Sequence, residues 1–277
     1  RLVSGGTLWL VATPIGNLGD LAPRAVAVLS AAALVCCEDT RRTGRLLQHA
    51  GVRAQRLAVA NEHTELSRIA EVLDVLAAGD DVAVVTDAGT PGISDPGERL
   101  VRAALDAGFD VSAVPGPSAD VMALVLSGLP TSRYVFEGFL PRSGRDRSAR
   151  LAEIAAERRT VVLYEAPHRI RRTLDDLRES CGDDRRAAVA RELTKLHEEV
   201  LRGTLAEIAA AIGEPRGEYV VVLEGTTTGD EPADDDAIRA ALRAELAEGA
   251  TKKEAVASVA SALGTPKKRV YALAIAL

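Results

Sequence analysis

The sequence predicts an α/β protein of two α/β domains followed by a small helical module. Short apolar runs alternate with stretches of helical period up to about residue 223. Many of those runs are uniformly apolar, which suits strands covered on both faces. A polar, acidic stretch then separates this region from a tail with helical patterns alone. The expected boundaries are 1–132 and 133–225 for the α/β domains, 226–236 for the linker and 237–277 for the helical module.

In the first domain the strand candidates are 8–12, 34–37, 57–60, 82–86 and 111–114. The helix candidates between and after them are 24–32, 41–50, 65–78, 98–107 and 118–126. Strand, loop and helix in repeated order favour a largely parallel sheet. The second domain offers strands at 134–139, 161–164, 187–190, 199–201 and 219–223, with helices at 146–157, 169–180 and 205–212. Short turns between neighbouring strands favour mixed pairing there. The tail reads as helices at 236–248, 252–263 and 267–276. Thr251 and Thr265 are the expected N-caps; Glu254 completes a capping box on the first, and Pro266 takes N1 of the second.

The 277 residues are 47% hydrophobic and 27% charged, a balance that argues against disorder over most of the length. The longest nearly apolar run, 25–37, is shorter than the roughly 20 residues a bilayer span needs. The first residues lack the pattern of a signal peptide, so a cytoplasmic location is expected. The three cysteines, Cys36, Cys37 and Cys181, form no C-x-x-C, and the four histidines show no H-x-x-x-H. Neither a disulfide scaffold nor a metal site is expected. The net charge is -6, but it is unevenly spread: residues 133–203 carry 16 basic and 13 acidic groups, and 249–277 five and one. These two segments can attract a phosphate backbone; the plainer reading is solvated arginine-rich surface.

Polar, glycine-rich loops follow each strand of the first domain: TPIGNLGDL (13–21), EDTRRTGRL (38–46), NEHTE (61–65), DAGTPGISDPG (87–97) and PGPSAD (115–120). Ligands of parallel sheets bind at the carboxyl ends of the strands. Five such loops on one edge therefore point to a site rather than to turns alone. The fourth loop is rich in glycine and proline, so backbone and ligand can approach closely, and its Asp87 can receive an amine or a ribose hydroxyl. Neither a phosphate-binding P-loop nor G-x-G-x-x-G is present. The second domain adds LYEAPHR (163–169), ARELTK (190–195) and RGEYVVVLEG (216–225), where Arg191, Glu192 and Lys195 can form an ion-pair cluster.

Taken together and in order, LVATPIGNLGDL, CEDTRRTGRLL, NEH, VVTDAGTPGISDPGERLV, VPGPSA, FEGFLPR, VLYEAPHRI, RELTKLHEEV and GEYVVVLEG resemble the tetrapyrrole methylase superfamily, class III S-adenosylmethionine-dependent methyltransferases. Within it they are most similar to the branch that methylates bacterial small-subunit ribosomal RNA. The resemblance covers nearly everything from Leu8 to Gly225. It implies a cofactor cleft between two α/β domains, a homodimer, and methyl transfer from S-adenosylmethionine to the ribose 2′-hydroxyl of a cytidine in the decoding centre of 16S rRNA. Carried over motif by motif, it implies cofactor contacts at Pro14; at Asp87, Ala88, Gly89 and Ile93; at Ser118 and Ala119; at Tyr164, Glu165 and Ala166; at Arg191, Glu192 and Leu193; and at Gly217, Glu218, Tyr219 and Val220. The chain departs from tetrapyrrole-modifying members in its first loop, PIGNLGD, and at Gly89–Thr90, where those members have aspartate–proline. Both departures weigh against a porphyrin-like substrate.

A ribose hydroxyl is a poor nucleophile until it loses its proton, so a nearby base is expected. Asp39, Glu62, His63 and Lys195 are the candidates, His63 or Glu62 first among them, although a lone histidine beside a glutamate is more often an ordinary polar loop residue. For RNA, Arg41, Arg42 and Arg45 follow the second strand, and Arg142, Arg145 and Arg147 form an arginine loop. Lys252, Lys253, Lys267, Lys268 and Arg269 mark the tail, which either binds RNA or packs as a helical cap. Aromatic residues make up only 3%, so recognition should rest on phosphates, shape and an extruded nucleotide rather than a stacking platform. Two other functions stay open: methylation of a tetrapyrrole precursor, and a non-enzymatic ribosome-assembly factor.

Overall fold

The computed structural model describes residues 5–226, 235–247, 249–263 and 265–276. It divides into two compact units, Arg1–Glu224 and Gly225–Leu277. The first unit opens with β1 (Thr7–Val11), α1 (Pro23–Ala31), β2 (Leu34–Cys37), α2 (Thr40–His49), β3 (Leu57–Val59), α3 (Glu65–Ala77), β4 (Val82–Val84), α4 (Glu98–Asp106), β5 (Asp110–Val114) and α5 (Ala119–Ser127). Its five strands form a wholly parallel sheet in the order β3-β2-β4-β1-β5, with Leu10 opposite Val84 on one side and Ala113 on the other. Alternate residues enter two cores. Leu8, Leu34, Cys36, Val82 and Val84 pack with Leu76 of α3 and Leu100 of α4. Val11, Val35, Cys37 and Ala83 pack with Leu29 of α1 and Leu47 of α2. Helices on both faces explain the uniformly apolar strands; every residue of β2 and β4 is buried.

The unit continues with β6 (Tyr134–Phe139), α6 (Gly144–Ala156), β7 (Thr160–Glu165), α7 (Ile170–Cys181), β8 (Arg186–Arg191), β9 (Glu199–Thr204), α8 (Leu205–Ala211) and β10 (Tyr219–Leu223). The second sheet has the order β6-β7-β10-β8-β9. Only β6 and β7 pair in parallel; β10 runs antiparallel to both its neighbours, as does β9 to β8. Val161, Leu163, Val221 and Leu223 face α6, α7 and α8. Their neighbours Val162, Val220 and Val222 face the other way, against Ala123 and Leu124 of α5 and Ile15 of the loop after β1. One apolar core therefore holds α5 to the second sheet, and the carboxyl edge of the first sheet lies beside β7 and β10.

The second unit comprises α9 (Asp235–Ala247), α10 (Lys252–Ala262) and α11 (Lys267–Ile275). Ile238, Leu242, Ala255, Val259, Val270 and Leu273 form its core. The capping box on α10 is made: the Glu254 N–H donates to Thr251 Oγ1 and the Thr251 N–H to the Glu254 carboxylate. The expected cap at Thr265 is not made. Its hydroxyl donates back to the Leu263 carbonyl, and Pro266 takes the cap position of α11. Residues 227–234 of the acidic linker lie outside the described residues. Among the described residues no helix is long and apolar enough to cross a membrane.

Candidate active site

The glycine-rich loops are joined by backbone. The Thr13 N–H donates to the Gly89 carbonyl at 2.9 Å, and the Gly89 N–H returns to Thr13 at 3.1 Å. The Thr90 hydroxyl donates to the Pro117 carbonyl, so the loops after β1, β4 and β5 form one rigid edge. Gly89 has φ +88, a left-handed conformation that favours glycine, and its α-carbon faces Ile15. Ile15 is itself packed in the core shared by α5 and the second sheet.

This edge and the second sheet enclose a cavity of about 370 Å³. Asp87, Ala88, Gly89 and Ile93 line it from the loop after β4, and Ser118 and Ala119 from the start of α5. Tyr164, Glu165 and Ala166 line it from the end of β7, and Glu218, Tyr219 and Val220 from β10 and its approach. The Tyr164 hydroxyl is shared with Asp120 at the first turn of α5, and its ring packs edge-on against Phe136 and Phe139. The remaining predicted contacts stand outside the wall. Pro14 is buried, and the neighbouring Ile15 faces the cavity instead. Arg191 ends β8 beside Glu199, and Leu193 is packed in the core. Glu192 accepts from the N–H of Glu218 and from Lys195, and Gly217 gives it room: a Cβ on Gly217 would overlap the Glu192 carboxylate.

Asp87 is the polar focus of the cavity. Its Oδ1 is buried without a hydrogen-bond partner, while Oδ2 lies 3.3 Å from the Arg42 guanidinium. Burial raises its pKa against the pull of Arg42.

A second cavity of about 580 Å³ adjoins the first. Glu62 and His63 line it, with Asn61, Glu65, Glu98 and Arg99. Glu38, Ser94 and Asp95 belong to the walls of both cavities. On this shared wall the carboxyl groups of Glu38 and Asp95 stand near enough to shift each other's titration. Burial, then the charge of Asp87, raises Glu38; burial and Glu38 push Asp95 up to about 7. No spacing rule could pair these two residues, which come from the loops after β2 and β4, 57 positions apart in the numbering. Glu65 fixes the far wall: its buried Oε1 accepts from the N–H groups of Gly97, Arg99 and Leu100 at the start of α4.

Of the other catalytic candidates, Asp39 caps α2, accepting from the Arg41 N–H and guanidinium. Those bonds hold its carboxyl far below the ordinary range, which makes it a weak base. Lys195 lies over Gly16 and donates to Glu192 and Glu218 at 2.7 and 2.9 Å. Partial burial pulls its pKa down, but the two carboxylates outweigh it and keep the ammonium charged. Neither residue lines either cavity. Among the arginines, Arg41, Arg45, Arg142 and Arg145 are exposed, and Arg42 reaches the first cavity. Arg147 is a correction. It is not in a loop, since α6 begins at Gly144, and its side chain is 5% exposed. It donates to Asp176, to the Pro141 carbonyl and to Thr173, which in turn donates to the buried Glu165. Buried among these partners, it is not presented to a phosphate.

Comparison with known proteins agrees with this architecture. The family model for Tetrapyrrole (Corrin/Porphyrin) Methylases matches residues 7–209. The solved structure of the methyltransferase CobJ superposes with a TM-score of 0.61 at 21% identity, covering 80% of this chain and 95% of that one. Uroporphyrin-III C-methyltransferase from Thermus thermophilus, complexed with S-adenyl homocysteine, gives 0.55 at 19%, covering 79% and 97%. At those identities the likeness is one of fold. Sequence relatives are much nearer. Proteins named ribosomal RNA small subunit methyltransferase I are 46% identical in Synechocystis sp. (98% of each chain) and 45% in Mycobacterium tuberculosis (94% of this chain, 91% of that one). In Escherichia coli O157:H7 the identity is 41%, over 98% of this chain and 96% of that one. The chain belongs to the tetrapyrrole methylase family, and within that fold it stands with the ribosomal RNA small subunit methyltransferases I.

Proposed function

We propose that this protein transfers a methyl group from S-adenosylmethionine to the ribose 2′-hydroxyl of a cytidine in small-subunit ribosomal RNA, in the cytoplasm. The observation that carries the reading is the pair of adjoining cavities, one fitted to the cofactor and one open to an acceptor. The first cavity suits the cofactor's chemistry. The unpartnered Asp87 oxygen awaits a donor such as an ammonium or hydroxyl, Arg42 offers a cation for a carboxylate, and Ile15, Ile93 and Val220 supply apolar wall. When bound, the cofactor supplies an electrophilic methyl group on a sulfonium.

The chain's own residues then orient and exclude water. The bonded loops and Tyr164 hold the cleft rigid, so an acceptor hydroxyl can be held in line for attack at near-contact distance. The second cavity, with Asn61, Glu62 and His63 in its lining, is the place for an extruded nucleotide. Exposed Arg41, Arg45, Arg142 and Arg145 supply phosphate contacts on the first unit. In the second unit Lys253, Lys267 and Lys268 line a groove with Tyr271, a basic surface with one base-stacking ring. Val121, Met122, Val125 and Leu126 expose an apolar face on α5, which supports a second copy of the chain as partner. The test is labelled methyl transfer to 30S subunits lacking the modification, to free rRNA and to a tetrapyrrole precursor. Label on one ribose of the small-subunit RNA is expected; label on the tetrapyrrole alone would overturn the reading.

A further inference from the structure

We infer that the Glu38–Asp95 carboxyl pair accepts the hydroxyl proton during methyl transfer, an inference that rests on the function proposed above. The geometry narrows the choice. A base must stand where acceptor and methyl donor meet, and the wall common to the two cavities is made by Glu38, Ser94 and Asp95. The other candidates stand elsewhere. Asp39 is committed to the α2 cap, and Lys195 is a charged ammonium held by two carboxylates. Glu62 and His63 line the second cavity but not the first.

The chemistry of the pair suits the task. Two partly buried carboxyl groups set in one wall do not both ionise readily, so together they hold one proton more tightly than a lone carboxylate. Their surroundings keep that affinity high. Asp87 and Glu218 add negative charge to the same wall, and this with burial outweighs the opposing pull of Arg42 on Glu38. Across the second cavity lie Glu62, His63, Glu98 and Arg99, with the Glu65 carboxylate already bonded to the α4 N–H groups. The pair thus takes up a proton near neutral pH, where a general base is most useful.

The step balances. The acceptor's O–H bond breaks and its proton goes to the carboxyl pair. The oxygen's electron pair forms the new O–C bond, and the C–S bond breaks with its electrons left on sulfur. One positive and one negative charge vanish together. The pair afterwards gives its proton to water.

The test combines single-turnover methylation, at saturating 30S subunits and S-adenosylmethionine, with a carboxyl-carbon NMR titration of the full chain. The wild-type rate is expected to rise about tenfold per pH unit below roughly pH 7 and to level off above it. Asp95→Asn and Glu38→Gln should each lower the plateau at least about tenfold and shift the midpoint down by about one unit or more. The double variant should lose roughly 10²–10⁴-fold. S-adenosylhomocysteine affinity, by calorimetry, should change far less than the rate, which separates proton transfer from binding. A wild-type rate flat from pH 5.5 to 8.5, or single variants that keep both rate and midpoint, would overturn the assignment. If the wild type methylated no RNA at all, the proposed function would fall, and the titration would judge the pair alone. Two carboxyls titrating independently at ordinary values would then overturn it; one titrating near neutral pH that reverts in either single variant would support it.

Discussion

At the scale of single residues, the site is a set of charges that the fold leaves incompletely paired. Asp87 shows this most plainly, with one oxygen against Arg42 and the other buried without a partner. Asp87→Asn should weaken S-adenosylmethionine binding roughly 10- to 100-fold, the worth of one charge-assisted bond, as read by calorimetry. Binding to the wild type should also weaken as pH falls through the raised Asp87 pKa. Asp95 has a thermodynamic signature as well. Its pKa rises from 3.8 in the unfolded chain to about 7 in the fold, so it favours folding below about pH 4 and loses that contribution as pH climbs through 7. The stability of Asp95→Asn relative to wild type should therefore increase across that window, by on the order of 1 kcal/mol after allowance for solvent screening. Denaturant titrations at pH 4.5 and 8 would measure it. The sequence made Asp87 legible because it opens a conspicuous glycine-rich loop. It concealed Glu38–Asp95, because two loops meeting in space leave no local pattern, and it misplaced Arg147, because its burial against Asp176 and Thr173 depends on a helix distant in sequence.

At the scale of elements, two buried networks place the loops. Glu65, at the start of α3, binds three N–H groups at the start of α4, so one side chain sets the angle between two helices and the course of residues 92–97. Glu65→Ala would leave those donors without a partner in a buried setting and should cost roughly 2–4 kcal/mol in urea unfolding. Beneath the other wall, Arg147, Thr173, Glu165 and Arg169 form a chain of bonds from α6 through α7 to the end of β7. Arg147→Ala should cost about 3–5 kcal/mol, as expected for a buried pair broken on one side, while the salt dependence of RNA binding stays unchanged. Helices and strands were readable from period and capping chemistry, and their bounds differ from expectation mainly by a residue or two. Thr265 failed as a cap because its hydroxyl found the Leu263 carbonyl first.

At the scale of the whole molecule, the alternation of elements made a parallel first sheet and a mixed second sheet legible. Strand order and the seat of α5 were not, because both depend on partners distant in sequence. By sequence α5 closes the first half, yet its buried face completes the core of the second sheet. The cavities are built from residues of the first unit alone, and the three-helix unit has its own core. A chain ending at Glu224 should therefore keep S-adenosylmethionine affinity within about threefold. It should bind small-subunit RNA more weakly, with a log–log salt slope shallower by about 2, the expected loss of three lysine–phosphate contacts on single-stranded RNA.

The wall formed by Glu38, Ser94 and Asp95 also bears on the order of events in turnover. If donor and acceptor take the two cavities as proposed, they meet at that partition, and neither has to leave for the other to enter. On that assignment, turnover should run through a ternary complex assembled in either order, not through a queue at one door. Spent cofactor should then compete with fresh cofactor and yet act as a noncompetitive inhibitor against RNA.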